Sequence, residues 1–309
     1  VLFTGAGFSA GAKDRQGRPL PSSTQLKEEL WELSYPDQAF DTAATLGELF
    51  EVARKRRHSV LVEYLQSRLV IDPDSLPLYF SRYWSLSWLR AYTLNVDNLE
   101  LAAARRFNIE RQIEQISATL PDHSYVPRSR LGDTLLEVIH LNGAVPGPPE
   151  SLTFSETQYA ERIANKEPWY ARCVADLTTR PVVFVGTELR EIPLWQHMEL
   201  RKLRVAQRMD RRPASILVTP ALSPSREELL HELRVEWVQG TAESFAAEVL
   251  DRLDEAGRRG FVALGEYSRS FGRTTLPLVS DLAAERPSLD TQYLSGGEPH
   301  WSDLITGRA

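Results

Sequence analysis

Apolar residues recur along this chain in short runs that break off into small or polar residues. Val1-Leu2-Phe3-Thr4 runs into Gly5-x-Gly7. Ala91-Tyr92-Thr93-Leu94 gives way to Asn95-Val96-Asp97-Asn98, and Val138-Ile139-His140-Leu141 to Asn142-Gly143. Val182–Val185 ends at Gly186-Thr187, Ser215–Val218 at Thr219-Pro220, and Val235–Val238 reads as a last strand. Short, near-continuous runs rich in β-branched and aromatic residues predict strands buried on both faces. Between them the spacing turns helical. Ser22-Ser23-Thr24 with Glu28 predicts a helix start. Residues 24 to about 69 read as mostly helical, with breaks near Pro36 and Gly47. Residues 98–118 read as one helix, 151–179 as a short strand and helices, 225–233 as a helix and 241–256 as a final amphipathic helix. The predicted fold class is α/β: a Rossmann-like parallel sheet flanked by helices, with a helical module inserted at about 20–90.

An open parallel sheet binds ligands at the carboxyl ends of its strands. The Gly, Asn, Asp, His and Thr residues that end these runs are therefore predicted to line one cleft. Gly5-x-Gly7-x-x-Ala10 follows a strand and fits a dinucleotide fingerprint, in which a glycine turn brings backbone close to a pyrophosphate. No Gly-Lys-Ser/Thr follows it, which argues against a mononucleotide P-loop. Residues 12–22, with Gly17, Pro19 and Pro21, read as a mobile loop over the cleft. Glu188 and Glu191 fall at the cleft edge, and His197 reads as a helix-surface or interface residue.

Composition narrows the class. The 309 residues allow one large domain or two modest ones. No apolar run approaches the roughly 18 residues of a membrane span. A net charge of −6 argues against broad nucleic-acid binding, and Arg54-Lys55-Arg56-Arg57 reads as a solvated helix face. Cys173 is the single cysteine, so no cysteine-rich zinc ribbon can form; it is expected as a small buried residue. Sparse cysteine usage fits a cytoplasmic location. Trp31, Trp84 and Trp88 are expected in packing roles. Val1 opens inside an apparent strand, which predicts a trimmed N-terminus.

These motifs, in this order, resemble the sirtuin family of NAD-consuming proteins. Gly5-Ala6-Gly7-Phe8-Ser9 is similar to the family's first phosphate loop, and Thr93-Leu94-Asn95-Val96-Asp97 to its T-x-N-x-D segment. Gly186-Thr187 is similar to its later ribose contact, and Thr219 stands where an adenosine contact is often placed. The resemblance covers roughly residues 1–250. It implies that Gly5, Ala6, Gly7, Phe8, Ser9, Gly186, Thr187 and Thr219 bind NAD, as substrate. It further implies that Asn95 and Asp97 act on the nicotinamide ribose, with either His140 or Asn142 contacting the ribose. The family's Leu-His-Gly triplet stands here as Leu141-Asn142-Gly143, and the nearest histidine is His140. If 136–141 is a strand, the side chains of 140 and 142 point to the same side of the sheet, about 7 Å apart.

Lack of a zinc ribbon and of that histidine speaks against a protein deacylase. The resemblance points to the zinc-free bacterial antiphage branch. The expected activity is an NAD glycohydrolase effector, activated by oligomerisation; the alternative is a silent NAD or ADP-ribose sensing and assembly module. Residues 1–256 would be the NAD-binding domain. Residues 257–309 would be a linker, whose Gly297–Leu304 stretch resembles the junction to a C-terminal STAND-type NTPase or sensor region. No membrane partner and no metal are expected.

Overall fold

A computed structural model describes residues 1–86, 88–119, 128, 134–164, 168–189 and 215–252. Seven strands form one sheet: β1 (Leu2–Thr4), β2 (Ala91–Thr93), β3 (Gln112–Ser117), β4 (Leu135–His140), β5 (Val183–Val185), β6 (Ser215–Thr219) and β7 (Val235–Gln239). Their order is β3-β4-β2-β1-β5-β6-β7, and every pairing is parallel. The chain starts in the middle strand, builds one side of the sheet, then returns to the other side of β1. Reversal therefore falls between β1 and β5, where open α/β sheets present their ligand crevice. This is the expected Rossmann-like class.

Successive strand residues feed opposite faces, as a period of two requires. Leu2, Ala91, Val138, Val183 and Ile216 enter one core, with α4 (Tyr79–Ser85), α5 (Leu99–Phe107) and the last helix, α9 (Ala242–Phe245, continued by a π turn over Ala246–Leu250). Phe3, Tyr92, Ile139, Phe184 and Leu217 enter the other, against α7 (Pro168–Thr179) and α8 (Pro224–Glu232). Both faces are covered, so the strands carry few polar residues. Cys173 of α7 is fully buried there.

A third core belongs to α1 (Ser23–Ser34), α2 (Leu46–Arg56) and α3 (His58–Arg68), which stand between β1 and β2 in the chain. Leu30, Phe50, Leu61 and Leu65 pack there against Val96, Val145 and Leu152, which follow β2 and β4. The helical module thus sits over the carboxyl ends of the sheet. Ser22 caps α1 through a capping box closed by Gln25, not by Glu28. Gly47, expected as a break, lies in the first turn of α2, and a Cβ there would come within 2.6 Å of Ser155 Cα. Trp84 and Trp88 are core residues; Trp31 stacks with Tyr35 and Phe40.

Two expectations are corrected. Residues 98–118 are not one helix: Asn108 takes a left-handed conformation (φ 48°), ends α5, and the chain returns as β3. Residues 151–179 hold no strand among the described residues; a 3-10 turn at Pro149–Ser151 leads to α6 (Glu156–Ala164) and α7. Glu191, His197 and the 257–309 segment lie outside the described residues. No described helix is long and apolar enough to cross a membrane.

Candidate functional site

A cleft of about 480 Å³ opens where β1 and β2 end under the helical module. Ala6, Gly7, Ser9 and Ala10 form one side, and Leu94 to Asp97 the other. Pro21 to Leu26, Leu69 and Phe154 cover it. The walls are largely apolar, with Ser9, Asn95 and Asp97 on the strand side and Ser22, Ser23 and Gln25 on the covering side.

Asn95 ties the two strand ends together. Its Nδ2 donates to Gly5 O (3.0 Å) and to Ser9 Oγ (2.8 Å). The Ser9 hydroxyl in turn faces the Asp97 carboxylate, whose Oδ1 accepts from Leu99 N (3.1 Å). Asp97 is only 7% exposed. Burial pushes its pKa up to about 6; the facing Ser9 hydroxyl opposes this, the Glu100 carboxylate adds to it, and His140 and Leu99 N–H pull the other way. A carboxyl held near neutrality at a cleft wall suits it to carry charge or a proton during a reaction.

His140 lies beneath this wall. It is fully buried, with Nδ1 at 2.8 Å from Asn95 O and Nε2 at 3.1 Å from Glu100 Oε1. Burial disfavours its charged form, but the Glu100 carboxylate and the bond to Asn95 O outweigh this and raise its pKa. Both ring nitrogens are engaged, and the imidazole does not line the cleft. Asn142 is also apart from it. The strand stops at His140, and a turn through Gly143 (φ 87°) redirects the chain. Asn142 Nδ2 donates to Leu94 O (3.0 Å), and its Oδ1 accepts from Tyr170 OH (3.2 Å). The expectation that these two side chains share one strand face is thereby corrected.

The first loop departs from a phosphate cradle in a similar way. Gly5 N donates to Val185 O, Gly7 N to Gly186 O and Phe8 N to Gly5 O. Three of the N–H groups are thus spent inside the protein. The Phe8 ring is buried edge-on against Phe80, Tyr83 and Trp84. A Cβ on Gly186 (φ 69°) would sit 2.0 Å from Phe8 N, so this glycine lets two backbones meet at the β1–β5 reversal. Thr187 Oγ1 accepts from Leu189 N (2.9 Å), and Thr219 Oγ1 donates to Ala221 O (3.3 Å). Gly5, Phe8, Gly186, Thr187 and Thr219 do not line this cleft; Ala6, Gly7, Ser9, Asn95 and Asp97 do.

Residues 12–22, expected as a mobile loop, are pinned. Asp14 is fully buried; Oδ1 accepts from Gln16 N and Arg18 N, and Oδ2 from Arg18 Nε (2.8 Å) and Arg68 Nη1 (3.2 Å). Arg68 also donates to Pro19 O (2.6 Å) and to both oxygens of Glu29, which accepts from Tyr64 OH as well. The loop is thereby locked to α1 and α3 and forms the cleft's outer wall.

The matched region now has a location. Residues 90–238 match the family model of the SIR2-like domain. No curated protein matches the chain. The SIR2-like region runs from β2 to β7. It contains Asn95, Asp97, His140 and Asn142, while the first loop and the helical module precede it. Within the SIR2-like region, residue patterns had left Glu100 unnoticed. Its signal was the three-residue spacing from Asp97, which puts both acids on one side of the start of α5. Among the described residues no group of His, Cys, Asp and Glu could hold a metal ion.

Proposed function

We propose that the cleft binds NAD and cleaves its nicotinamide–ribose bond with water, giving nicotinamide, ADP-ribose and a proton. The observation that carries this is the Asn95–Ser9–Asp97 cluster on the wall of a largely apolar cleft in a region that matches the SIR2-like family model. Apolar walls suit a flat aromatic ring, and the convergent amide and carboxylate suit its carboxamide and ribose. Bond cleavage builds positive charge on the sugar, as in glycoside hydrolysis. An ionised Asp97 stabilises that charge. Asn95 Nδ2 is committed to Gly5 and Ser9, which fixes the side chain and aims Oδ1 as an acceptor for the attacking water. His140 acts from below as a positioning residue, holding Asn95 O and Glu100. Asn142 braces the Leu94 backbone of the same loop.

Support for a hydrolase over a deacylase is the asparagine at 142, since water attack needs no base at a ribose hydroxyl. The reading extends to NAD depletion in antiviral defence, switched on by oligomerisation and by a C-terminal sensor or NTPase region. Its supports are the family resemblance and the toxicity that an always-active NADase would have. The second reading is a silent NAD or ADP-ribose binding module. It is favoured by the structural ties of Asn142 and His140, which leave no histidine among the described residues that line the cleft. Nicotinamide release decides between them. The hydrolase reading expects turnover that Asn95→Ala reduces at least about 100-fold, within the range for losing a group that orients a proton-transfer partner. NAD binding without turnover in the assembled protein, with turnover gained by Asn142→His, would establish the silent module.

A further inference from the structure

A second cavity lies on the other side of the turn that carries Asp97. It measures about 620 Å³ and is lined by Arg15, Asn98, Arg105, Arg106, Asp72 and Asp74, among others. Of its two acids, Asp74 is paired and Asp72 keeps its charge. Asp72 caps Asp74 N (3.1 Å), and Asp74 pairs with Arg106 (2.9 Å). Arg15 and Arg105 have no ion-pair partner among the described residues. They come from distant parts of the chain, the pinned 12–22 segment and the end of α5, and meet only at this hollow. Guanidinium groups present planar forks that match phosphate oxygens, and the volume falls in the range of small-molecule sites.

The two cavities share a wall. Asp97 lines the cleft, and the next residue, Asn98, lines this hollow. Asn98 Oδ1 accepts from Ile71 N (2.8 Å), so the turn is fixed to the floor of the second cavity. The segment that supplies Arg15 continues into Pro21–Leu26 of the cleft.

We propose that this cavity is a second binding site, for a phosphorylated small molecule of nucleotide size, whose occupancy is felt at the cleft through the Asp97–Asn98 turn. The aspartates at its rim and the net charge of −6 oppose a long polyanion such as nucleic acid. Binding here does not depend on NAD being the cleft's ligand; only the coupled effect on turnover rests on that reading.

Calorimetric titration of the full chain with ADP and with pyrophosphate tests it. Both probes are expected to bind, and Arg15→Ala/Arg105→Ala is expected to weaken them about 10- to 100-fold, the usual worth of charge-assisted hydrogen bonds. Arg15→Lys/Arg105→Lys keeps the charge and is expected to retain part of the affinity, while Asn95→Ala leaves it unchanged. Saturating pyrophosphate should then shift NAD affinity in the parent and not in the double alanine variant. No binding at millimolar probe, or binding indifferent to the arginines and lost in Asn95→Ala, would overturn the site. An equal shift of NAD affinity in parent and variant would overturn the coupling.

Discussion

Asp97 is held in the fold at a cost that its chemistry explains. Its folded pKa, about 6, stands above the unfolded value of 3.8, so the fold favours the protonated form. Stability from this group is complete below pH 4 and is lost as pH rises toward 6. Asp97→Asn keeps the shape and the acceptor oxygen without the charge. It is expected to be more stable than the parent above pH 6 by about 3 kcal/mol, two pKa units at 1.36 kcal/mol each, and to lose nicotinamide release. Thermal melts at pH 4 and pH 7.5 check this: the difference should vanish at the lower pH. In the parent, turnover should rise as pH passes through about 6. Legibility at this scale was uneven. Asn95 and Asp97 stood out because polar residues end an apolar run. The sealed position of His140 did not, because reading the strand to Leu141, one residue too far, and carrying its alternation on put His140 and Asn142 on one open face. Only the left-handed turn at Gly143 and the partners Glu100 and Tyr170, supplied by other elements, reveal where those side chains go.

Elements meet here through backbone as much as through side chains. The loop after β1 and the residue after β5 touch at Gly186, where added volume has nowhere to go. Gly186→Ala brings both a clash and an unfavourable positive φ. It is expected to cost about 3 kcal/mol or more, measured as a drop in denaturant midpoint. Arg68 does for the 12–22 segment what Gly186 does for the strands. Arg68→Ala leaves Glu29 and part of Asp14 uncompensated, a loss of about 3–5 kcal/mol. Trypsin should then cut faster after Lys13 and Arg15, which limited proteolysis would show. The sequence pattern placed the five inner strands because each is apolar on both faces, and the edge strand β7 from its Val235, Trp237 and Val238. It missed β3, an edge strand with Gln112, Glu114 and Gln115, adjoining an Ala- and Arg-rich helix with no proline or glycine between them. The loop was read as mobile because of its glycine and prolines. The anchoring Asp14–Arg68 pair spans 54 residues and is invisible to a local pattern.

For the molecule as a whole, the ends of β1 and β2 set where ligands can approach, beside the β1–β5 reversal that Gly186 and Phe8 close, and the helical module narrows that approach to a roofed cleft. The same topology has a consequence for how the chain reaches its fold. Leu2 pairs with Ala91 on one side and with Val183 on the other, so the central strand is made before either neighbour and waits longest for its second one. At translation rates of roughly 5–20 residues per second, Val1–Thr4 emerges on the order of ten seconds before its second neighbour exists. Contacts so distant in sequence make folding slow. Refolding from denaturant is expected to take milliseconds to seconds or longer, with yield falling as protein concentration rises, read by stopped-flow fluorescence and light scattering. The strand whose loop helps shape the cleft is also an apolar, unpaired edge early in synthesis, and a cell making this protein must shield that edge until the rest of the sheet arrives.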